Sequence, residues 1–211
     1  SLGDARLFIL CDENVYSLYK DMFNAKNGVV YTFPAGEKSK TIDTATKILG
    51  AMAENGFMRN DVLVAFGGGV TGDLGGFCAS VYMRGIRYIQ IPTTILAAVD
   101  SSVGGKTAVD FAGHKNLVGA FWQPSGVFCD TEYFKTLPAR QFSAGFAEII
   151  KYGVICDSDL FSAIENGRFE LEDIIEKCID IKRKIVEQDT RDNGMRKILN
   201  FGHTVGHAVE K

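Results

Sequence analysis

Several features that are scarce in this chain narrow its functional class. It has 23 lysines and arginines against 26 aspartates and glutamates, and the net charge of −3 with no basic run argues against general nucleic-acid binding. No apolar run reaches the ~18 residues of a membrane span, so we expect no membrane association. The first residues lack the pattern of a secretory signal, so we expect a cytoplasmic protein.

The chain also lacks paired cysteine motifs. Its five cysteines are widely spaced and no two of them form a CxxC pair, which argues against a zinc knuckle or a dithiol redox site. Their odd number and mostly apolar neighbours predict buried, reduced thiols.

The first two-thirds of the chain alternate strand and helix patterns. Short apolar runs predict strands at residues 5–11, 29–33, 61–66, 86–91 and 126–130, and apolar spacing predicts a helix at residues 41–55. This alternation is typical of a parallel-rich, Rossmann-like α/β sheet with helices on both faces. After Pro138 only helical patterns remain. We therefore predict an α/β domain at residues 1–138 and an incomplete all-α domain at residues 139–211.

A glycine-rich loop follows the strand predicted at residues 61–66. Gly67, Gly69 and Gly72 satisfy G-x-G-x-x-G, in which glycines let the backbone approach a pyrophosphate at a helix N-terminus. The acidic residue that usually ends the next strand is missing, so this is not the ordinary dinucleotide fingerprint. Asp12, at the end of the first predicted strand, could contact a ribose instead. A tight structural turn is the alternative to a pyrophosphate site.

A second glycine motif precedes Lys106. The run DSSVGGKT places Lys106 after two glycines, where its ammonium could bind an anion, but the run lacks the spacing of a P-loop.

Charged side chains occur on helical faces that are otherwise apolar. Glu148 and Lys151 are the only charges of residues 142–156, and a helical wheel places Lys182 inside a sector of isoleucines. His203 and His207, four residues apart, share one helix face. Together they indicate a metal site with cationic neighbours. The separate alternatives are a buried ion pair, a lysine that reaches water and hydrogen-bonded core histidines.

At this point the motifs resemble a known family. GGGVTGD, MRG, IPTT, DSSVGGKT, HKNLVGAF, AEIIKYG and NFGHTVGH, in this order, are similar to the 3-dehydroquinate synthase family of sugar-phosphate cyclases. The resemblance implies an NAD-binding α/β domain and a helical domain with a divalent metal, zinc or alternatively cobalt. It also implies conversion of 3-deoxy-D-arabino-heptulosonate 7-phosphate to 3-dehydroquinate and phosphate in the shikimate pathway, by a homodimer.

The resemblance also implies roles for individual residues. The implied NAD-binding residues are Asp12, Asn14, Gly36, Glu37, Lys38, Ser39, Lys40, Gly67, Gly68, Gly69, Val70, Thr71, Gly72, Asp73, Thr93, Thr94, Lys106, Lys115, Tyr133, Phe134, Lys135 and Thr136. The implied substrate-binding and catalytic residues are Asp100, Lys106, Asn116, Lys151, Lys182, Arg196, Asn200 and His207, with Arg84 reaching the neighbouring subunit's substrate. The implied metal ligands are Glu148 and His203.

Two departures from the family pattern and three rival functions stay open. The family's third metal ligand is a histidine beyond the position of His207, so we expect a truncated chain that is inactive alone. Asp192 stands where the family often has glutamate, which leaves its role in doubt. The rivals are another sugar-phosphate cyclase, a metal-dependent polyol dehydrogenase and a non-catalytic domain that binds neither NAD nor metal.

Overall fold

A computed structural model describes residues 4–23, 27–203 and 206. These residues form seven strands: β1 (Leu7–Asp12), β2 (Gly28–Phe33), β3 (Val62–Gly67), β4 (Arg87–Pro92), β5 (Lys106–Phe111), β6 (His114–Phe121) and β7 (Gly126–Val127). Their α-helices are α1 (Glu13–Tyr19), α2 (Ile42–Glu54), α3 (Gly69–Val81), α4 (Ala139–Cys156), α5 (Ser158–Glu165) and α6 (Leu171–Gln188). Shorter helical turns lie at Lys20–Met22, Glu37–Ser39, Tyr82–Arg84, Ala97–Ser101, Thr131–Thr136 and Met195–Asn200.

Five of the strands form a parallel sheet in the order β2-β1-β3-β4-β7, which confirms the predicted fold class. Leu7 of β1 lies opposite Gly28 on one side and opposite Val62 on the other. The chain therefore passes from β1 to β2 on one side and crosses to β3 on the other. At such a reversal the carboxyl ends of the strands open a crevice in which α/β proteins bind ligands.

Both faces of the sheet are buried because successive strand residues point to opposite sides. Phe8 and Leu10 pack with α2 and α3 in one core, and Ile9 and Cys11 pack with Val15 of α1 in another. The interior strand β3 is buried along its whole length, which explains why its sequence is a continuous apolar run rather than an alternating one.

The antiparallel pair β5–β6 is the main element that the sequence patterns do not predict. Its second strand is exposed over most of its length, so its sequence carries little hydrophobic alternation. The strand predicted at residues 126–130 is wrong in length, because only Gly126 and Val127 pair with β4. Phe128 beyond them is 62% exposed.

The described residues after Pro138 are helical, as predicted. The buried side chains of α4, α5 and α6 form a third core together with Ile95, Ala98 and Val99 from the first half of the chain. The hydroxyl of Tyr152 in α4 donates to the carbonyl oxygen of Val99 at 3.0 Å, which fixes α4 against the turn Ala97–Ser101. Among the described helices, none is both long and apolar enough to cross a bilayer. The division near Pro138 stays a prediction.

Candidate functional site

The carboxyl end of the sheet opens into a cavity of about 710 Å³, which we call the glycine-loop cavity. Asp12 at the end of β1, Gly68 after β3 and Thr93 after β4 all line it. Helix α3 begins at Gly69 and points its N-terminus into the same space. The free backbone N–H groups of a helix N-terminus attract an anion, as expected for a pyrophosphate site.

Close approach explains why the loop is made of glycine. A Cβ on Gly67 would collide with the Thr71 side chain, and one on Gly69 would lie 3.3 Å from Ser101 Oγ. The hydroxyl oxygens of Thr71 and Ser101 are buried and have no hydrogen-bond partner among the described residues. Buried polar atoms without partners are rare in proteins, and here two of them lie beside one loop. They are suited to hydrogen-bond a bound group.

A buried ion pair closes one side of this cavity. Lys40 Nζ lies 2.5 Å from Asp73 Oδ2, and the side chain of Lys40 is 6% exposed. Burial raises the pKa of the Asp73 carboxyl, and Lys40 only partly reverses this effect. The Lys40 segment is also tied to β5, because the backbone N–H of Asp110 donates to the Lys40 carbonyl oxygen at 2.8 Å.

A second cavity of about 530 Å³ lies between the β5–β6 pair and the helical half, and we call it the lysine cavity. Lys106, Asn116, Lys182 and Arg196 line it. Asp73, Asp100 and Ser101 line both cavities, so the two spaces adjoin. A ligand in one of them therefore lies beside a ligand in the other.

Lys182 enters the lysine cavity from α6, as the helical wheel predicts. Its ammonium donates to Asp100 Oδ1 and to the Asp100 carbonyl oxygen, both at 2.5 Å, and its side chain is 6% exposed. Burial lowers the pKa of Lys182, and Asp100 opposes that effect. Burial alone would raise the pKa of the Asp100 carboxyl, but Lys182 and more distant cations hold it below its usual value. Lys182 therefore faces an anion rather than reaching water.

Glu148 and Lys151 form a buried pair on α4, one turn apart. Lys151 Nζ donates to Glu148 Oε1 and, at 2.7 Å, to the carbonyl oxygen of Leu199. The second carboxylate oxygen, Glu148 Oε2, lies 4.0 Å from His203 Nε2. Two ligands of a tetrahedral zinc ion lie about 3.3 Å apart, so these two atoms would have to approach each other slightly to bind one ion. Within the described residues, no three His, Cys, Asp or Glu side chains converge as metal ligands.

Arg196 is held by a turn after α6. The Asp189 carboxylate accepts the backbone N–H groups of Asn193, Gly194 and Arg196 at 2.7–3.1 Å, and these hydrogen bonds lower its pKa despite some burial. The guanidinium of Arg196 then donates to the carbonyl oxygen of Gly104 at 3.2 Å. This contact joins the helical half to the segment before β5.

The structure brings together most of the residues that the sequence indicates. Those that line the glycine-loop cavity are Asp12, Asn14, Gly36, Glu37, Lys40, Gly68, Gly69, Val70, Thr71, Asp73, Thr93, Thr94 and Thr136. Asp100, Lys106, Asn116, Lys182 and Arg196 line the lysine cavity, and Asn200 and His203 line a smaller pocket of about 90 Å³ that shares Asp100, Lys106, Lys182 and Arg196 with it. Ser39, Gly67 and Gly72 are buried next to these linings.

Other indicated residues lie elsewhere. Tyr133 packs edge-on against Tyr19 and Phe66, and Phe134 is buried in the helical core. Lys135 pairs with Glu132 at 2.5 Å. Lys38, Arg84 and Lys115 are exposed and do not line these cavities, and His207 lies outside the described residues.

Two side chains of the site were missed or left in doubt by the sequence patterns. Ser101 lies within the DSSVGGKT run, but its hydroxyl carries no sequence signal of its own. Asp192 forms an ion pair with Lys106 across 86 residues of sequence, and only the folded structure reveals the pair.

Known proteins resemble this chain in sequence and in overall structure. Family models match two parts of the chain: "3-dehydroquinate synthase N-terminal" at residues 30–144 and "3-dehydroquinate synthase C-terminal" at residues 145–211. A 3-dehydroquinate synthase of Clostridium tetani is 45% identical over 99% of this chain. The match spans 59% of the length of that relative.

Two solved structures share the fold closely. A 2-deoxy-scyllo-inosose synthase complexed with carbaglucose-6-phosphate, NAD⁺ and Co²⁺ is 32% identical, with a TM-score of 0.87 over 99% of this chain and 62% of that one. A 2-epi-5-epi-valiolone synthase of Streptomyces hygroscopicus with NAD⁺ and Zn²⁺ bound is 29% identical, with a TM-score of 0.90 over 98% of this chain and 62% of that one. Because the N-terminal family model alone matches residues 30–144, more than half of the sequence, the chain belongs to the 3-dehydroquinate synthase family.

Proposed function

We propose that the protein carrying this chain is a 3-dehydroquinate synthase, a lyase that converts 3-deoxy-D-arabino-heptulosonate 7-phosphate to 3-dehydroquinate and phosphate. The observation that carries this proposal is the adjoining pair of cavities. One presents a glycine loop and a helix N-terminus, and the other presents Lys106, Lys182 and Arg196. A substrate with both a carboxylate and a phosphate matches several cationic side chains in one cleft.

The glycine-loop cavity fits NAD. A pyrophosphate at the N-terminus of α3 would accept hydrogen bonds from backbone N–H groups and from the unpartnered hydroxyls of Thr71 and Ser101. The two related cyclase structures each contain NAD⁺. Asp12 at the end of β1 would accept a hydrogen bond from a ribose hydroxyl.

The helical half fits a divalent metal. Glu148 Oε2 and His203 Nε2 supply a carboxylate oxygen and an imidazole nitrogen at 4.0 Å from each other, donor types that zinc and cobalt accept. One related structure holds Co²⁺ and the other Zn²⁺. Lys151 would keep its contact with Glu148 and so orient the carboxylate as a supporting group.

The side chains of the cleft would position the substrate between these two groups. When bound, NAD supplies a reversible hydride acceptor and the metal polarises substrate hydroxyl groups. Lys182 and Arg196 would bind substrate oxyanions while Asp100 holds Lys182 in place. Asn116 adds an amide at the rim of the same cavity. Much of the contribution of these residues is orientation and fixed positive charge.

We also propose that the complete protein is a cytoplasmic homodimer. Arg84 is exposed at the turn after α3, and both Met83 and Arg84 have positive φ angles of 50° and 67°. Such a backbone is unfavourable for these residue types, which is consistent with a turn kept to present Arg84 to a neighbouring subunit. All five cysteines are free, which is consistent with a reducing compartment, but the prediction of buried thiols is wrong for Cys129 and Cys156, which are exposed.

The experiment that tests the function is an assay of phosphate release by the complete gene product. With NAD present, we expect release from 3-deoxy-D-arabino-heptulosonate 7-phosphate and loss of that release after chelation, restored by zinc or cobalt. Release that survives chelation would contradict the proposed metal. Release only from sedoheptulose 7-phosphate would instead favour the function of another sugar-phosphate cyclase, and no binding of NAD or metal would favour a non-catalytic domain.

A further inference from the structure

The four lysines whose ion pairs lie around the two cavities each have a carboxylate partner within the described part of the chain. Lys40 pairs with Asp73 and Lys182 pairs with Asp100. Lys151 pairs with Glu148, and Lys106 pairs with Asp192. The positive charge of these four lysines is therefore compensated pair by pair within the chain, whereas the Arg196 guanidinium donates to the carbonyl oxygens of Gly104 and Thr190. An anion that enters must compete with a carboxylate that is already present.

These four ion pairs differ in burial. The side chains of Lys40, Lys151 and Lys182 are 6%, 8% and 6% exposed, whereas the side chain of Lys106 is 49% exposed. Separating a buried pair leaves an uncompensated charge in a low-dielectric environment, which is strongly unfavourable. The Asp192 side chain is 18% exposed, like that of Asp73, but water can replace the partner of the half-exposed Lys106 ammonium, so separation of this pair leaves only one side desolvated. The Lys106–Asp192 pair is therefore the one that opens most easily.

Asp192 itself is held loosely by hydrogen bonds. Its Oδ2 binds Lys106, while its Oδ1 is buried with no hydrogen-bond partner among the described residues. The backbone at Asp192 has a φ of 58°, within the turn that Asp189 fixes. A carboxylate with one oxygen desolvated and unpaired gains by moving to water. The turn thus presents an acid that contacts the cationic site without being fully satisfied there.

We propose that Asp192 is an internal counter-anion, which pairs with Lys106 and is exchanged for the phosphate group of the substrate. This inference rests on the proposed function only in taking the substrate to carry a phosphate. A phosphate dianion brings more charge to Lys106 than the carboxylate that it replaces, so the exchange is favourable. A substrate carboxylate would replace one carboxylate with another and gain nothing. Asn116 and Arg196 line the same cavity and would remain in place.

The test is the affinity of the NAD-loaded complete gene product for inorganic phosphate, measured by calorimetric titration. We expect Asp192→Asn to bind phosphate about two- to fivefold more tightly than the parent, since Lys106 is no longer occupied. Asp180→Asn is the matched control, because Asp180 is also a carboxylate of the helical half, and it pairs with Arg183 and Lys184 on an exposed face. The control should leave the affinity unchanged, and acetate should not compete with phosphate for the parent protein, in which it would only replace one carboxylate with another.

Two further variants separate the possible outcomes. Asp192→Gly removes the carboxylate, and glycine is compatible with the positive φ angle at this position. It should therefore also bind phosphate more tightly than the parent. It replaces Asp192→Asn in the test if that variant fails to fold. In a Lys106→Met background, Asp192→Asn should tighten phosphate binding less than it does in the parent, because only its interaction with Arg196 remains to be removed. Equal or weaker phosphate binding by both Asp192 variants would overturn the proposal. Because this titration needs no turnover, a protein that passes it but releases no phosphate would disprove only the proposed function.

Discussion

The two halves of the cleft differ in whether their buried hydroxyl and ammonium groups have hydrogen-bond partners. On the sheet side, the hydroxyls of Thr71 and Ser101 are buried next to the N-terminus of α3 and have no hydrogen-bond partner in the part of the chain that the structure describes. On the helical side, Lys151 and Lys182 are buried but already paired with carboxylates and carbonyl oxygens. These two neutral hydroxyls are unsatisfied within the described residues, whereas these two ammonium groups are satisfied.

Burial has different energetic consequences for neutral and for charged groups. An unpartnered hydroxyl lowers stability modestly, so a fold tolerates two of them in a ligand site. An unpartnered buried ammonium is far more unfavourable, and the two buried lysines of the described helical half, Lys151 and Lys182, both have internal partners. Substitutions on the two sides should therefore have opposite effects on the stability of the ligand-free protein.

The largest effect is expected from Lys182→Met on the helical side. The change leaves the Asp100 carboxylate without its nearest cation and should lower the free energy of unfolding by about 3 kcal/mol. Lys184→Met, two residues along the same helix, removes an exposed lysine paired with Asp180 and should cost about 0.5 kcal/mol or less. Urea unfolding measures both. Equal losses in the two variants would mean that the burial of Lys182 does not matter.

A smaller loss is expected where the two halves meet. Gly104 has a φ of 105°, and a Cβ there would collide with the Arg196 guanidinium and lie 3.1 Å from Val186. Gly104→Ala should cost about 2 kcal/mol, of which about 1 kcal/mol is backbone strain and the rest displacement of the Arg196 guanidinium. Gly113 has a φ of 79° with nothing within 4 Å, so Gly113→Ala should cost about 1 kcal/mol. Thermal melts of the two variants that coincide would rule out the contact with Arg196 as a cause.

The opposite sign is expected on the sheet side. Thr71→Val removes an unpartnered buried hydroxyl, so ligand-free stability should rise by up to about 1 kcal/mol while the Kd for NAD increases about fivefold. Thr107→Val is the control, because the Thr107 hydroxyl donates to the Ala120 carbonyl oxygen at 3.0 Å. That variant should lose about 1 kcal/mol of stability and keep its affinity for NAD. Weakened stability of Thr71→Val would show that its hydroxyl already has a partner.

The smallest effect concerns pH. Burial would raise the pKa of the Asp157 carboxyl, but the backbone N–H of Leu160 and the ammonium of Lys177 hold it below its ordinary value of 3.8. The stabilisation by this charge is therefore present above pH 3.8 and is lost as the pH falls through the lowered pKa. Asp157→Asn keeps the cap of α5 without the charge, so its unfolding free energy should approach that of the parent as the pH is lowered to about 3. A gap that stays constant over this range would contradict the assigned pKa shift.

The sequence predicts the sheet better than the hairpin for a physical reason. Strands β1, β3 and β4 are interior, so both of their faces are apolar and their runs are recognisable. The pair β5–β6 lies over α3, with Val109 buried and most of β6 exposed. Its sequence mixes glycine, lysine and asparagine, and its role in shaping the lysine cavity depends on tertiary packing.

The residues of the candidate site also differ in how well the sequence predicts them. Lys182 is predictable because a helical wheel needs only local spacing, and its burial confirms that interpretation. The Lys106–Asp192 pair and the contact of Arg196 with Gly104 join residues 86 and 92 positions apart. Periodicity carries no information at such separations. The roles of the individual residues stay proposals until ligands are bound.

The most direct test of the account is a crystal structure of the complete gene product with NAD and a non-reacting phosphorylated substrate analogue. We expect the pyrophosphate of NAD at Gly68 and Gly69, within hydrogen-bond distance of the Thr71 hydroxyl. We also expect the analogue's phosphate on Lys106, with Asp192 turned away and Lys182 still bound to Asp100. A structure with the analogue outside the lysine cavity, or with the pyrophosphate away from the glycine loop, would contradict the account.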